Sequence, residues 1–161
     1  MDGRIRYDRA LLLGGAKRGQ VLDLWEVQRY GVDSYSDADY VSVYGMAPSQ
    51  WYRRGVRLLG RTVVECTRDV LADAIGRDVA AVAQPALGSA GVLVVDPFVG
   101  SGNTLFWLVR HLPDARGLGF EVDDDVFFLT GRNFSFLDVS IELRHGDSVT
   151  GLTGEVVKGD E

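Results

Sequence analysis

The chain has 161 residues, a hydrophobic fraction of 46% and a net charge of −6, values that favour one soluble globular domain with its own core. No stretch approaches the roughly 18 apolar residues of a membrane span, and the N-terminus lacks the apolar core of a signal peptide, so we expect a cytoplasmic protein without membrane contact. Residues 96–161 carry five Lys or Arg against twelve Asp or Glu. This balance argues against DNA or RNA as a partner, because nucleic-acid binding depends on neutralising phosphates.

The first part of the chain, 1–48, is interpreted as an N-terminal extension that precedes a single domain, 49–161. Within the extension, tyrosines alternate with aspartates and serines between Asp23 and Tyr44. Tyrosine combines apolar area with a hydroxyl, and long irregular segments are often functional. Two interpretations stay open: a surface loop packed on the domain, or a lid that brings Tyr35 and Tyr40 to a site.

A helical pattern begins at Ser49. Apolar residues recur there at steps of three and four, which predicts one long amphipathic helix over 49–84, interrupted near Gly60 or Gly76. We expect its apolar positions to face the core: Tyr52, Val56, Leu59, Val63, Cys66, Val70 and Ala74. Because Cys66 is the only cysteine, no internal disulfide forms, in agreement with a reducing compartment.

Near the centre of the chain, the sequence changes abruptly from apolar residues to an acidic residue and a glycine-rich turn. Val92–Val95 form a short apolar run that predicts a buried strand, and Asp96 and a Gly100-Ser101-Gly102 turn follow it. Helical spacing then predicts a helix whose first turn is capped by Asn103 or Thr104.

The remainder of the chain repeats this unit. A second strand is predicted over Gly117–Val122, a second helix starts in the Asp123–Asp125 run, and a third strand spans Val139–Arg144. The polar tail from Gly151 to Glu161 is expected to fray. The sequence therefore predicts an α/β protein with a parallel β-α-β-α-β sheet preceded by N-terminal helices.

Acidic residues follow each of the three strands: Asp96, Glu121 and Asp147. The carboxyl ends of parallel strands converge on one crevice, so a ligand there could meet all three carboxylates. Glu121, some 20 residues after the glycine turn, is placed to accept the hydroxyls of a ribose. Each acid could instead cap the following helix, and Asp147 could close a turn with Gly146.

Three motifs occur in order between Val92 and Ser148. Asp96-Pro-Phe-Val-Gly-Ser-Gly-Asn103 is similar to the DPF-x-GSG form of motif I of class I S-adenosylmethionine (SAM)-dependent methyltransferases, as found in enzymes that modify amino groups of DNA and RNA. Gly119-Phe-Glu-Val-Asp123, with Asn133 ten residues later, resembles motif II. Arg144-His-Gly-Asp147 is similar to motif III.

The resemblance implies a Rossmann-like fold and SAM as cofactor. It implies that Gly100 and Gly102 approach the methionine and ribose portions, that Glu121 binds the ribose hydroxyls, and that Asp147 and Ser148 lie near the adenine. The full predicted cofactor set is Asp96, Phe98, Gly100, Ser101, Gly102, Asn103, Glu121, Asp147 and Ser148. No catalytic base is diagnosable, and the candidates are Asp96, Tyr35 and Tyr40; no metal site is predicted.

The sequence also departs from the family. It lacks the Asn/Asp-Pro-Pro-Tyr/Phe motif of the nucleic-acid enzymes, so we expect a small-molecule substrate. The family sheet has seven strands, whereas this chain stops after the third, so the C-terminal half of the fold is expected to be absent. Val92–Val95 would then be an open edge that a second chain covers, as a homodimer or a heteromeric subunit. Alternatively, the N-terminal helices fold back and cover it.

The leading hypothesis is a SAM-binding subunit of a biosynthetic enzyme that modifies a small molecule by displacement at the sulfonium. Two alternatives stay open: SAM-dependent cyclisation that forms a small nitrogen ring, and a non-catalytic methyltransferase-like subunit that stabilises a partner.

Overall fold

A computed structural model describes residues 5–87 and 91–156 of the chain. Three parallel strands form one sheet in the order β1-β2-β3, with β1 at Val92–Asp96, β2 at Ala115–Glu121 and β3 at Ile141–His145. A helix connects each successive pair, α5 at Asn103–His111 and α6 at Asp124–Phe134, as parallel pairing requires. The predicted α/β fold with a β-α-β-α-β core is confirmed.

The C-terminal segment is helical, so the prediction that the chain frays from Gly151 is wrong for residues 151–156. Helix α7 spans Ser148–Val156. Asp147 caps its first turn, and Gly151 packs so closely on Phe120 of β2 that an added Cβ would lie 2.3 Å from the ring. The cap and this contact hold the helix on the sheet. Residues 157–161 of the predicted tail lie outside the described residues.

The single long helix predicted over 49–84 is wrong. Three helices occupy this region: α2 at Pro48–Arg53, α3 at Gly60–Glu65 and α4 at Asp69–Leu87. An interruption does occur near Gly60, but Gly60 begins a helix rather than breaking one, and its missing side chain allows the Lys17 carbonyl to come within 2.1 Å of where a Cβ would stand.

Helix α4 has its own helical phase. Its buried residues are Ala72, Gly76 and Ala80, and this strip of small residues packs on α5. Gly76 lies inside the helix, where an added Cβ would be 2.8 Å from the carbonyl oxygen of Trp107. Val70, predicted to face the core, is 71% exposed, because the break after α3 resets the periodicity that a continuous helix would have kept.

The N-terminal residues are part of the main core. Helix α1 spans Leu24–Tyr35, so the interpretation of 23–44 as an irregular segment is wrong for this part. A short π-helical segment at Ala10–Gly14 precedes it. Fully buried residues of this region, among them Leu12 and Val27, share one hydrophobic cluster with Phe106 of α5 and Phe134 of α6. The N-terminal helices thus pack against the helices that carry the sheet connections.

Strand β1 lies at the edge of the sheet, since among residues 5–87 and 91–156 it pairs only with β2. On one face, Val92 and Val94 pack against α4 and α5. On the other, Leu93 is 50% and Val95 is 37% exposed. Helix α4 therefore covers a face of β1 without pairing its outer edge. In the part of the chain that the structure describes, no helix is long and apolar enough to cross a membrane.

Candidate functional site

A cleft of about 390 Å³ lies at the carboxyl end of the sheet. Asp96 at the end of β1, Glu121 at the end of β2 and Asp147 after β3 all line it. The structure thus brings together the three acids that follow the strands, because parallel strands place their carboxyl ends side by side. The part that each plays toward a ligand stays a prediction.

The glycine turn between β1 and α5 has the left-handed backbone that only glycine adopts without strain. Gly100 has φ +50° and Gly102 has φ +73°. Gly102 itself is the N-cap of α5, so the prediction that Asn103 or Thr104 caps the helix is wrong. An added Cβ on Gly102 would lie 2.3 Å from the Phe134 ring. Packing explains this glycine, which is not among the residues that line the cleft.

Glu121 connects the end of β2 to the glycine turn. One carboxylate oxygen accepts the backbone N–H of Gly100 at 3.2 Å, and the other accepts the N–H of Asp123 at 2.8 Å. A carboxylate has about four acceptor sites, so lone pairs remain for two ligand hydroxyls. The two backbone bonds hold the carboxylate in place at the cleft wall.

Asp96 has an unusual carboxyl group. Burial, with a further contribution from the nearby negative charge of Glu121, raises its pKa above the ordinary 3.8, although the backbone N–H of Phe98 lowers it by donating to Oδ1 at 3.0 Å. A carboxylate that is partly desolvated and has no cation paired with it among the described residues is suited to a cationic ligand.

Replacing Asp96 with Asn is expected to raise the unfolding temperature at pH 7. Because the pKa of Asp96 in the folded state is above 3.8, the folded protein binds this proton more tightly than the unfolded chain does. The stability that the protonated carboxyl contributes is therefore lost as the pH rises from 3.8 through the pKa of the folded state. Asparagine keeps the acceptor for Phe98 and removes the charge. Thermal unfolding between about pH 4 and pH 7 checks this: the gain over wild type should shrink toward pH 4, and a less stable variant at pH 7 would contradict it.

Asp147 caps helix α7 and also lines the cleft. Its Oδ1 accepts the backbone N–H groups of Val149 at 2.9 Å and Thr150 at 3.1 Å, and these bonds, led by those from Thr150, lower its pKa. The helix-capping alternative is therefore realised. The next residue, Ser148, is buried and lines the cleft, and no group among the described residues hydrogen-bonds its hydroxyl.

The other residues of the predicted cofactor set, Phe98, Ser101 and Asn103, differ in how far they are exposed to the cleft. Phe98 is 83% exposed at the cleft margin. Ser101 is buried and its Oγ accepts the backbone N–H of Asn103. Asn103 touches the cleft, but both donors of its side-chain amide bind the protein, at Thr67 O and Asp69 Oδ1.

Tyr35 and Tyr40 do not line the cleft. Their rings stack on each other with centroids 3.5 Å apart, and the Arg68 guanidinium lies over the Tyr40 ring at 4.4 Å. The structure therefore places the predicted tyrosine candidates for catalysis apart from Asp96, the third candidate, which does line the cleft.

Sequence reasoning missed the second wall of the cleft, which comes from α3 and the two residues after it. The lining residues of this wall are Arg61, Thr62, Glu65, Cys66 and Thr67. Arg61 pairs with Glu65 at 3.0 Å and with Asp123 at 2.8 Å, which ties α3 to the start of α6. In sequence, Arg61 and Glu65 have the character of a solvated helix face and Cys66 that of a core position, so no sequence signal marks the wall.

Two side chains of this wall differ in chemistry. Thr62 is 6% exposed, and none of the described residues hydrogen-bonds its hydroxyl, which leaves that hydroxyl for a ligand. Burial raises the pKa of the Cys66 thiol to about 12. A pKa in this range favours the protonated thiol at neutral pH and disfavours Cys66 as a nucleophile.

The charge of the cleft is strongly negative. Among the described residues, Arg61 is the only basic one that lines it, and that guanidinium is already paired, whereas the carboxylates are Glu65, Asp96, Glu121 and Asp147. This excess favours a ligand with a positive charge. Among the described residues, no three His, Cys, Asp or Glu side chains come together in an arrangement suited to a metal ion.

No protein-family model and no curated protein matches this sequence. Among solved structures, the chain is similar to the crystal structure of a protein from Klebsiella pneumoniae described as a "putative O-methyltransferase". The identity is 21% and the TM-score is 0.42, over 65% of this chain and 43% of that protein.

Proposed function

We propose that the protein binds SAM in this cleft and uses it as an electrophilic donor toward a small molecule. The observation that supports the proposal is the convergence of a glycine turn and three strand-end carboxylates on one negatively charged cleft. SAM combines a ribose diol, an adenine and a cationic sulfonium, and each has a matching group there.

In this proposal Glu121 accepts hydrogen bonds from the two ribose hydroxyls, since its carboxylate is held by backbone bonds and has lone pairs to spare. Asp147 and Ser148 flank the adenine, with the Ser148 hydroxyl available because no described residue binds it. Phe98, exposed at the margin, covers an apolar part of the ligand.

Asp96 is the residue that we assign to the sulfonium. Its carboxylate attracts the positive charge, and its raised pKa also suits it to take a proton from an acceptor at neutral pH. Transfer from SAM is an in-line displacement, in which the acceptor forms a bond to carbon as the carbon–sulfur bond breaks and its electrons leave with sulfur. The protein's main task is therefore to align the acceptor with that bond.

Calorimetric titration of the purified chain with SAM tests the proposal. We expect saturable binding of SAM, and weaker binding of the neutral S-adenosylhomocysteine because it lacks the sulfonium charge. If neither ligand binds, the proposal is wrong and a non-catalytic role is favoured. With labelled SAM, S-adenosylhomocysteine as product indicates transfer, whereas methylthioadenosine indicates the cyclisation alternative.

A second chain completing the sheet at β1 is part of the same proposal. The support is that none of the described residues pairs with the outer edge of β1, where Leu93 is half exposed and Val95 is 37% exposed. Residues 92–95 also contain no proline, charge or bulge that would block pairing. The second chain is either another copy of this protein or a different subunit.

Replacing Leu93 with Lys is expected to abolish this assembly, because a charge on an apolar edge strand opposes pairing. For self-association, light scattering should give twice the monomer mass of 17.6 kDa for wild type and the monomer mass for the variant. Phe128→Lys, on the exposed surface of α6, is the matched control and should behave as wild type. A stable, monodisperse wild-type monomer would contradict both forms of the proposal.

A further inference from the structure

A polar network lies behind the glycine turn, and its centre is Asp69 at the start of α4. Asp69 Oδ1 accepts hydrogen bonds from Trp107 Nε1 at 2.7 Å and Asn103 Nδ2 at 3.0 Å, and Oδ2 accepts the backbone N–H of Gly45 at 3.0 Å. Its own backbone N–H donates to Ser42 O at 3.0 Å. One carboxylate thus joins the N-terminal segment to α4 and α5.

Asn103 extends this network to both walls of the cleft. It is 1% exposed. Its Oδ1 accepts the backbone N–H of Tyr44 at 2.7 Å, and its Nδ2 donates to Thr67 O at 2.7 Å as well as to Asp69. Thr67 belongs to the α3 wall, while Asn103 follows the glycine turn directly. The amide therefore sets the separation of the two walls.

Tyr44 completes the network from the N-terminal side. It is 4% exposed, and its hydroxyl donates a hydrogen bond to the Ser101 carbonyl oxygen. Its ring meets Phe106 and Phe134 edge-on, with centroids 5.5 and 6.0 Å away. Its φ is +56°, a strained conformation for a tyrosine that persists only where surrounding contacts impose it.

The glycine turn is consequently held from several directions. Glu121 accepts the Gly100 N–H from the cleft side, Thr130 Oγ1 donates to the Gly100 carbonyl at 2.7 Å, and Tyr44 binds the Ser101 carbonyl from within the core. These bonds fix how the peptide groups of the turn face the cleft. A turn with fewer restraints would have to be ordered by the ligand at a cost in affinity.

We propose that Tyr44, Asn103 and Asp69 are positioning residues that hold the glycine turn and the α3 wall in the ligand-binding arrangement, and that Asn103 serves this purpose rather than contacting the cofactor. This inference rests on the proposed SAM site. It assigns to the N-terminal segment a direct part in forming the site, although Tyr44 does not itself line the cleft.

Tyr44→Phe tests the inference, since it removes only the hydroxyl that binds Ser101 and keeps the ring packing. We expect the dissociation constant for SAM to rise about tenfold, and amide hydrogen exchange of residues 100–103 to become faster. Tyr30→Phe is the matched control: Tyr30 is 1% exposed, and its hydroxyl pairs with that of Tyr35 at 3.4 Å, away from the residues that line the cleft. The control should leave both quantities unchanged.

The two readouts separate the failure of this inference from that of the proposed function. If wild type binds no SAM, the proposed function fails, and the exchange rates of residues 100–103 still decide whether Tyr44 holds the turn. If Tyr44→Phe does not fold, Trp107→Phe, which removes one donor to Asp69, is measured in the same way. Wild-type affinity and exchange in the folded variant, or an equal change in Tyr30→Phe, would overturn the inference.

Discussion

Replacing Glu121 with Gln is expected to weaken SAM binding roughly 100-fold. The glutamine has one acceptor oxygen and a donor group where the carboxylate has two acceptors, so one ribose hydroxyl meets a donor. Hydrogen bonds to charged groups are worth about 1.5–3 kcal/mol, and each 1.4 kcal/mol is tenfold in affinity. Calorimetric titration of both proteins with SAM measures the effect.

The same substitution also disturbs the protein, because Glu121 accepts the backbone N–H groups of Gly100 and Asp123. Its thermal unfolding is therefore measured alongside, and only a folded variant is informative about affinity. Glu142→Gln on β3 is the control, since Glu142 pairs with Arg144 away from the cleft and should leave binding unchanged. Wild-type affinity in Glu121→Gln would show that the ribose is not bound there.

Replacing Gly102 with Ala is expected to lower the free energy of unfolding by about 2–5 kcal/mol. The left-handed backbone at φ +73° costs an L-residue roughly 1–2 kcal/mol. The new methyl would also lie 2.3 Å from the Phe134 ring, and overpacking of this kind costs about 1–3 kcal/mol. Chemical denaturation of both proteins gives the difference.

Gly100→Ala separates the two causes. Gly100 also has a positive φ, +50°, but the nearest atom that its Cβ would meet is the Phe98 carbonyl oxygen at 4.0 Å. Gly100→Ala should therefore lower the free energy of unfolding only by the cost of the left-handed backbone, about 1–2 kcal/mol. In a Phe134→Leu protein, Gly102→Ala should lower the free energy of unfolding by less than it does in wild type. Equal losses in the two alanine variants would show that the contact with Phe134 is unimportant.

The sheet and its order along the chain could be predicted because each signal is local. The apolar run at 92–95 is a strand, and the predicted second and third strands overlap β2 and β3 to within about two residues at each end. Asp123 caps α6 through bonds to the backbone N–H groups of residues 125 and 126, as its place before the helical pattern indicated. Such features depend on neighbours in sequence.

The N-terminal half could not be predicted as well, because its breaks come from contacts distant in sequence. Gly60, at the start of α3, allows the carbonyl of Lys17, which is distant in sequence, to come within 2.1 Å of where its Cβ would stand. This contact leaves no trace in the periodicity. The periodicity alone therefore predicts one continuous helix over 49–84, where the chain forms the three helices α2, α3 and α4.

The candidate site likewise has features that could be predicted from the sequence and features that could not. The sequence by itself determined the α/β class, the glycine turn and the place of Asp96, Glu121 and Asp147, because hydrophobic period, turn residues and strand ends are local properties that the parallel sheet then aligns. Only the tertiary structure decided that Tyr35 and Tyr40 lie apart from the cleft, that α3 forms its second wall, and that Asn103 binds inward to Asp69. The reason is physical: which groups meet across a cleft, or which buried amide finds which carboxylate, depends on how separate helices pack.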